Sequence, residues 1–480
     1  MVEKAKVIIS DLHVGAGFAS DNPLEDFISD DEFAALLNSI VAESNEKGMD
    51  VELILNGDII EFLQVPAVDA FDPQAIYPPE LYRPSSEVAS AKKTLLVIRG
   101  HLTLFAALRN FINLTSPRRN ITVLKGNHDV NLHWSTVQDF IRQAVGATGD
   151  RESLLAFEER LVSRESIYVE HGNQYAEKIN HFDNFEEPLD PRHPGELETP
   201  PGSGFVLDFF NDVEREKWWV DAVKPITSLI WYGFAVDFAF AARVLLHFLR
   251  VAPILIVGSF AVEEGPGVRA QMQELRQQLE DEAEVVVLGE RYATDTAFRS
   301  EFDARLGRIL RAIDAMPEIA LPSAIEAAEA SKTLEQAQEI AKSSDTALRK
   351  VAQDKIKEGS QVVVFGHTHR ALCEQLDGGT YLNSGTWVWW RDFAGTDLET
   401  WREFYAHPEN FAQPHYLTYV RVDYDQDGRP HARLLDYTGQ LVVECPSPSR
   451  CKFVVWLATL WEKLVGFFRP VKTTAALSGQ

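Results

Sequence analysis

Five short segments carry side chains suited to binding divalent cations. Asp11 and His13 stand two apart just past the apolar run Lys6–Ser10. Gly57-Asp58-Ile59-Ile60-Glu61 follows Val51–Asn56, and Gly126-Asn127-His128-Asp129 follows Ile121–Lys125. His171-Gly172 follows Ile167–Glu170, and Gly366-His367-Thr368-His369 follows Gln361–Phe365. Imidazole nitrogen mixed with carboxylate oxygen suits first-row divalent ions such as Mn, Fe, Ni or Zn. Asp11, His13, Asp58, Asn127, His171, His367 and His369 are too many ligands for one tetrahedral ion. They suit two cations about 3.5–4 Å apart with one carboxylate bridging. Such a pair makes hydroxide from water at neutral pH and neutralises phosphoryl oxygens.

The elements that must position these residues are legible as short apolar runs alternating with amphipathic stretches. Each of the five runs is brief, β-rich and stopped by Asp, Gly or His, as buried strands are. Asp31–Asn45 carries Phe33, Leu36, Leu37, Ile40 and Val41 at helical spacing. Leu95–Asn113 reads as one further amphipathic helix. Strand signals return at Thr380–Leu382, Tyr416–Val422 and Ala432–Asp436. The alternation predicts an α/β fold. In such folds ligands gather outside the carboxyl ends of the strands, so the five segments are expected to converge.

The ordered series D-x-H, G-D-x-x-[DE], G-N-H-[DE], H and G-H-x-H resembles the calcineurin-like metallophosphoesterases. It covers residues 1–185 and about 358–440. The resemblance implies two packed mixed β-sheets flanked by helices. It implies a metal-dependent hydrolase that cleaves a phosphoester with hydroxide bridging two divalent ions, Mn²⁺ foremost, with Fe, Zn or Ni as alternatives. Carried over, one ion takes Asp11, His13, His369 and the bridging Asp58; the other takes Asp58, Asn127, His171 and His367. His128 becomes the leaving-group acid or charge stabiliser, oriented by Asp129. Glu61 supports the ligands from behind. His133, His181 and His193 are rivals for the place of His171. Lys125 and Arg370 flank ligand loops and could hold a phosphate. Asn383-Ser384-Gly385-Thr386 is expected to pack beside the last metal loop.

The 480 residues divide into expected units at 1–187 and 358–445 for the core, 188–357 for a mostly helical insertion, and 446–480 for an amphipathic tail. Proline and GSG chemistry opens the insertion. Its first part is aromatic-rich, and 266–357 reads as exposed helices. The run 226–262 is strongly apolar, but Asp237, Arg243, His247 and Arg250 interrupt it below the ~18–20 residues of a membrane span. It predicts a buried or dimer-forming helix pair, or a helix lying in a membrane interface. Lys452–Phe468 carries the same alternatives. A membrane surface or a homo-oligomer through 226–262 and 451–468 is therefore the expected partner besides a phosphoester, amphiphilic or nucleotide-like. The net charge of −26 disfavours broad nucleic-acid binding. Three cysteines without metal spacing, and no apolar leader, predict a cytoplasmic protein, peripheral on the membrane's inner face if the helices meet lipid. The competing reading is a scaffold that keeps the fold without turnover.

Overall fold

The computed structural model describes residues 3–176, 180–224, 226–257, 266–314, 346–393, 396–411, 417–443 and 445. It is an α/β fold with two mixed sheets facing one another. The larger sheet has the strand order β14-β13-β12-β1-β2-β3-β4. Its centre is β1 (Lys4–Ile9), β2 (Asp50–Asn56), β3 (Arg119–Leu124) and β4 (Leu155–Glu158), all parallel. The antiparallel strands β12 (Thr418–Tyr424), β13 (Pro430–Asp436) and β14 (Leu441–Val443) extend it. The second sheet runs β5-β6-β8-β10-β9. These strands are β5 (Leu161–Arg164), β6 (Ile167–Glu170), β8 (Val362–Phe365), β9 (Leu372–Leu376) and β10 (Gly379–Asn383). Within it, β6, β8 and β10 are parallel.

Period-two alternation explains why the sheets stack. Ile8, Ile54, Leu124, Val420 and Leu434 point from the larger sheet into a shared core with Val162, Val169, Val362, Val364 and Leu382 of the smaller. Their neighbours Val7, Ile9, Leu53, Leu55 and Val123 face the other way. They are covered by α1 (Asp30–Lys47), α2 (Glu87–Gly100), α3 (Leu102–Phe111) and α4 (Ser135–Val145). On the outer face of the smaller sheet, Tyr168, Val363, Phe365 and Tyr381 pack under Leu348, Ala352 and Ile356. The order is therefore helices, sheet, sheet, helix.

The expected helix Leu95–Asn113 is two helices, broken at His101. Gly100 lies against the backbone of Ala16 and Gly17, where a Cβ would overlap the Ala16 carbonyl. The His101 imidazole then pairs with Asp30 at 2.8 Å. The break seats the loop that follows β1.

The insertion differs from expectation at both ends. The helix over 346–357 belongs to the core, because Leu348 and Ala352 are fully buried on the second sheet. Conversely, Phe393, Trp401, Phe404 and Phe411, expected in the core, join the insertion's own apolar cluster. The two-residue pairing of β7 (Val223–Lys224) with β11 (Arg391–Asp392) ties them. Of the apolar run, Leu229, Ile230, Phe234, Phe240, Val244, Leu245 and Leu249 are buried within the chain. Arg243 pairs with Glu216, while His247 and Arg250 stand 3.8 and 3.9 Å from Asp212 and Glu280. These buried residues of the run pack within the chain's own apolar cluster. Among the described residues no helix is long and apolar enough to cross a membrane. Residues 258–262, 315–345 and the tail 446–480, on which part of these expectations falls, lie outside the described residues.

Cys373 and Cys445 form a disulfide with Cα atoms 5.0 Å apart. This bridge differs from the expectation that the cysteine usage fits a reducing compartment. Seventy-two residues separate the pair, and only the meeting of β9 with the end of β14 brings them together.

Candidate metal centre

Every expected ligand lies in a loop leaving the carboxyl end of a parallel strand. Both sheets contribute, and their ends are stitched together. Asn56 Nδ2 donates to the Glu170 carbonyl at 3.1 Å, and Gly366 N donates to the His171 carbonyl at 2.9 Å. His367 N donates to Asp11 Oδ1 and Oδ2, each at 3.1 Å. Asp11, His13, Asp58, His367 and His369 all adopt φ between 49° and 69°. Left-handed backbone at non-glycine residues costs free energy and clusters where function over-determines geometry.

Two triads result. Asp11, His13 and His369 bring one ligand atom each within 4.8 Å of one another, as do Asp58, His171 and His367. His13 Nε2 and His369 Nε2 are 3.2 Å apart, and His369 Nε2 is 3.3 Å from Asp11 Oδ1. Asp58 Oδ2 lies 3.0 Å from His171 Nε2 and 4.0 Å from His13 Nε2. Its carboxylate therefore stands between the triads. Glycine before each motif permits this crowding: a Cβ on Gly126 would overlap Asp58 Oδ1, and one on Gly366 would sit 2.6 Å from Asp11 Oδ2.

The donor set fits cations. Asn127 Oδ1 is buried and makes no hydrogen bond, while His171 Nε2 meets Asp58 Oδ2 at 3.0 Å. Native proteins rarely leave an atom like Asn127 Oδ1 unmatched. His171 Nδ1 engages the Asn56 carbonyl at 2.9 Å, which turns Nε2 toward Asp58. Burial alone would lower the His171 pKa, yet Asp58 and Asp11 raise it to about 10. The same histidines hold Asp58 well below the usual carboxylate range against its own burial. A site this negative attracts positive charge, whether proton or metal. These buried Asp and His groups can hold metal ions.

Glu61 supports a candidate ligand, His13, as expected, and also takes the place beside His128 expected of Asp129. Asp129 does not touch the His128 ring. Its carboxylate accepts from Gly126 N at 2.6 Å and Ile59 N at 2.8 Å, tying the third ligand loop to the second. Burial and the nearby Asp58 push its carboxyl up to about 6. Glu61 Oε2 instead reaches His128 Nδ1 at 2.6 Å and His13 Nδ1 at 2.8 Å. Burial works against both charges, yet the pairing lowers Glu61 to about 2 and raises His128 to about 9. His128 also anchors the bridge, since its backbone N donates to Asp58 Oδ1 at 2.8 Å. The spacing G-D-x-x-E held this signal, because residues 58–61 run as one short segment beside the loop that carries His13.

The rivals lie elsewhere. His193 pairs with Asp190 on the surface, His181 is exposed, and His133 stacks edge-on against Trp134. Lys125 turns its Nζ to Glu159 and the Glu186 carbonyl, at 3.2 and 3.1 Å, so it is committed away from a phosphate. Arg370 is exposed. Asn383 Nδ2 donates to the Gly366 carbonyl at 2.7 Å, and Thr386 Oγ1 to the Asp11 carbonyl at 2.9 Å. That segment packs behind the metal loops, as expected.

The insertion reaches the rim of the site. Asn211 Nδ2 donates to the Leu63 carbonyl at 2.9 Å, and Gln64 Nε2 donates to Glu214 Oε2 at 2.6 Å. Asp26, Glu214 and Asp221 form a further acidic group there, which sequence spacing did not reveal. Burial and mutual repulsion raise Asp26 and Glu214 well above ordinary carboxylates.

No protein-family model matches this chain, and no curated protein matches it.

Proposed function

We propose that the protein is a metal-dependent phosphoesterase with a calcineurin-like core and two divalent cations. The observation that carries the reading is the pair of triads that meet at Asp58. Asp11, His13 and His369 would hold one ion, His171, His367 and Asn127 the other, with Asp58 shared. Bound there, the ions would supply an activated water nucleophile and neutralise charge on the phosphoryl oxygens. Imidazole-rich donors favour Mn²⁺, Fe, Zn or Ni over Mg²⁺.

The chain's own residues do the rest. Asp58, standing between the two triads, would be shared by both ions. Glu61 holds His128 by Nδ1, so the proton on Nε2 is free to go to the leaving oxygen as the P–O bond breaks. Glu61 also fixes His13 from its rear nitrogen, which leaves Nε2 for the metal. The two sheets, with ligands at the carboxyl ends of parallel strands from both, are the framework this chemistry needs.

The test is hydrolysis of p-nitrophenyl phosphate and bis-p-nitrophenyl phosphate by the full chain with added Mn²⁺. Turnover that EDTA abolishes and Mn²⁺ restores supports the proposal. No turnover of either ester with any of Mn²⁺, Fe²⁺, Zn²⁺ or Ni²⁺ overturns it, and leaves the scaffold reading in its place.

A further inference from the structure

We propose that Lys93 is a positioning residue for Glu61 and, through Glu61, for the proton on His128; the proposal rests on the phosphoesterase reading above. Lys93 sits in the middle of α2, flanked on its own face by buried Ala89, Leu96 and Val97. Its side chain is 2% exposed. Among the described residues no carboxylate lies within ion-pair distance of it. A buried ammonium without a counter-ion is costly, and a methionine of similar length would cover this face at less cost. Burial accordingly lowers Lys93 to about 7, against the opposing fields of Glu61 and Glu196.

What the ammonium does there is specific. Nζ donates to the Phe62 carbonyl at 2.9 Å and to the Tyr82 carbonyl at 2.5 Å. The Phe62 carbonyl belongs to the peptide group whose N–H is that of Leu63. That N–H donates to Glu61 Oε1 at 3.0 Å. Lys93 therefore grips one side of a peptide plane whose other side holds the Glu61 carboxylate. With Oε1 so occupied, Oε2 faces both His13 and His128. The same turn is pinned to the site twice more, by Phe62 N to the His128 carbonyl at 3.3 Å and Glu61 N to the Val14 carbonyl at 3.0 Å. The second arm reaches the insertion, because the Tyr82 ring packs with Leu24 and Leu207 and lies under Arg215. Lys93 thus joins the seat of the insertion to the turn that aims the acid.

Two variants of the full chain test this, Lys93→Met and Lys93→Gln. Met keeps the stem and removes all donors, whereas Gln keeps an N–H pair. With Mn²⁺ bound, Lys93→Met is expected to lower kcat at least ~10-fold while KM stays within ~3-fold. The loss should be larger for an alkyl ester than for a p-nitrophenyl ester, which needs little protonation. Lys93→Gln should recover part of it. A second readout is independent of turnover: the Nδ1 proton of His128 in ¹⁵N-histidine-labelled, EDTA-treated protein, assigned by its loss in His128→Ala. Lys93→Met should move that resonance, and Lys93→Gln should move it less. If both variants leave it at the wild-type position, the proposal is overturned. A folded Lys93→Met with wild-type kcat and leaving-group dependence overturns it equally. If Lys93→Met fails to fold, Lys93→Gln carries both readouts. Absence of turnover in the wild type sinks the phosphoesterase reading alone, and the resonance still decides the link from Lys93 to His128.

Discussion

Asp58 and His128 stand a few ångströms apart and carry different burdens. In the proposed centre Asp58 would share its charge between two ions, so Asp58→Asn should lower kcat at least ~10³-fold and reduce bound metal. Activity within tenfold of wild type, with full metal content, would make the bridging role untenable. In the same proposal His128 would hold a proton rather than an ion. His128→Ala should lower kcat and leave metal content unchanged by elemental analysis, with the smallest loss on p-nitrophenyl leaving groups. Metal loss in that variant would make His128 a ligand. The candidate ligands were legible because each lies within four residues of the end of an apolar run, where the chain leaves the carboxyl end of a strand. The partner of His128 was not. Asp129 is its neighbour in sequence, but a residue adjacent on a turn points away, whereas Glu61 arrives from another strand's loop.

At the scale of elements, the break between α2 and α3 explains why β1 ends where it does. Glu25 Oε1 accepts from Gly15 N at 3.1 Å, and Glu25 also accepts from Gly17 N. His101 lies 3.4 Å from the same Glu25 oxygen and 2.8 Å from Asp30 Oδ2. Burial opposes the His101 charge, yet the two carboxylates raise its pKa to about 9. Unfolded, it titrates near ~6.5. The folded state therefore gains stability that is complete below pH ~6.5 and lost as pH rises through about 9. From the size of that shift, the gain is of order 3 kcal/mol. The melting temperature of His101→Gln should fall well below wild type at pH 6 and approach it by pH 9.5. A gap that stays constant across that range would refute the ion pair. Sequence periodicity ran straight through this break. Leu96, Val97, Leu104 and Leu108 keep one buried stripe, and only the close pass of Gly100 over Ala16, a tertiary contact, forces the bend. Strand β9 was missed for a related reason, since Leu372–Leu376 mixes Cys, Glu and Gln and takes its form from β10.

The whole molecule is a two-sheet core joined to a helical unit with its own apolar centre, and the joint is acidic. Asp26, Glu214 and Asp221 crowd where the insertion meets the rim. A carboxyl raised in the folded state favours folding below its unfolded pKa of ~4.3, and that support is lost as pH rises through the folded value. Glu214→Gln keeps an oxygen to accept from Gln64 and removes the charge. In EDTA it should melt above wild type at pH 8, with the gap closing toward pH 5. A variant that melts lower at pH 8 would show the charge to be stabilising. The limits of the insertion were hard to read for the same reason as the disulfide. Trp401 and Phe404 lie far along the chain from Phe234 and Phe240, and Cys373 far from Cys445, so only the folded arrangement makes them neighbours.

The central claim is that two cations share Asp58. Anomalous diffraction from crystals grown with Mn²⁺ tests it most directly. The account predicts two peaks about 3.5–4 Å apart, one among Asp11, His13 and His369, the other among Asn127, His171 and His367, with Asp58 touching both. A single peak, or peaks away from Asp58, would contradict it.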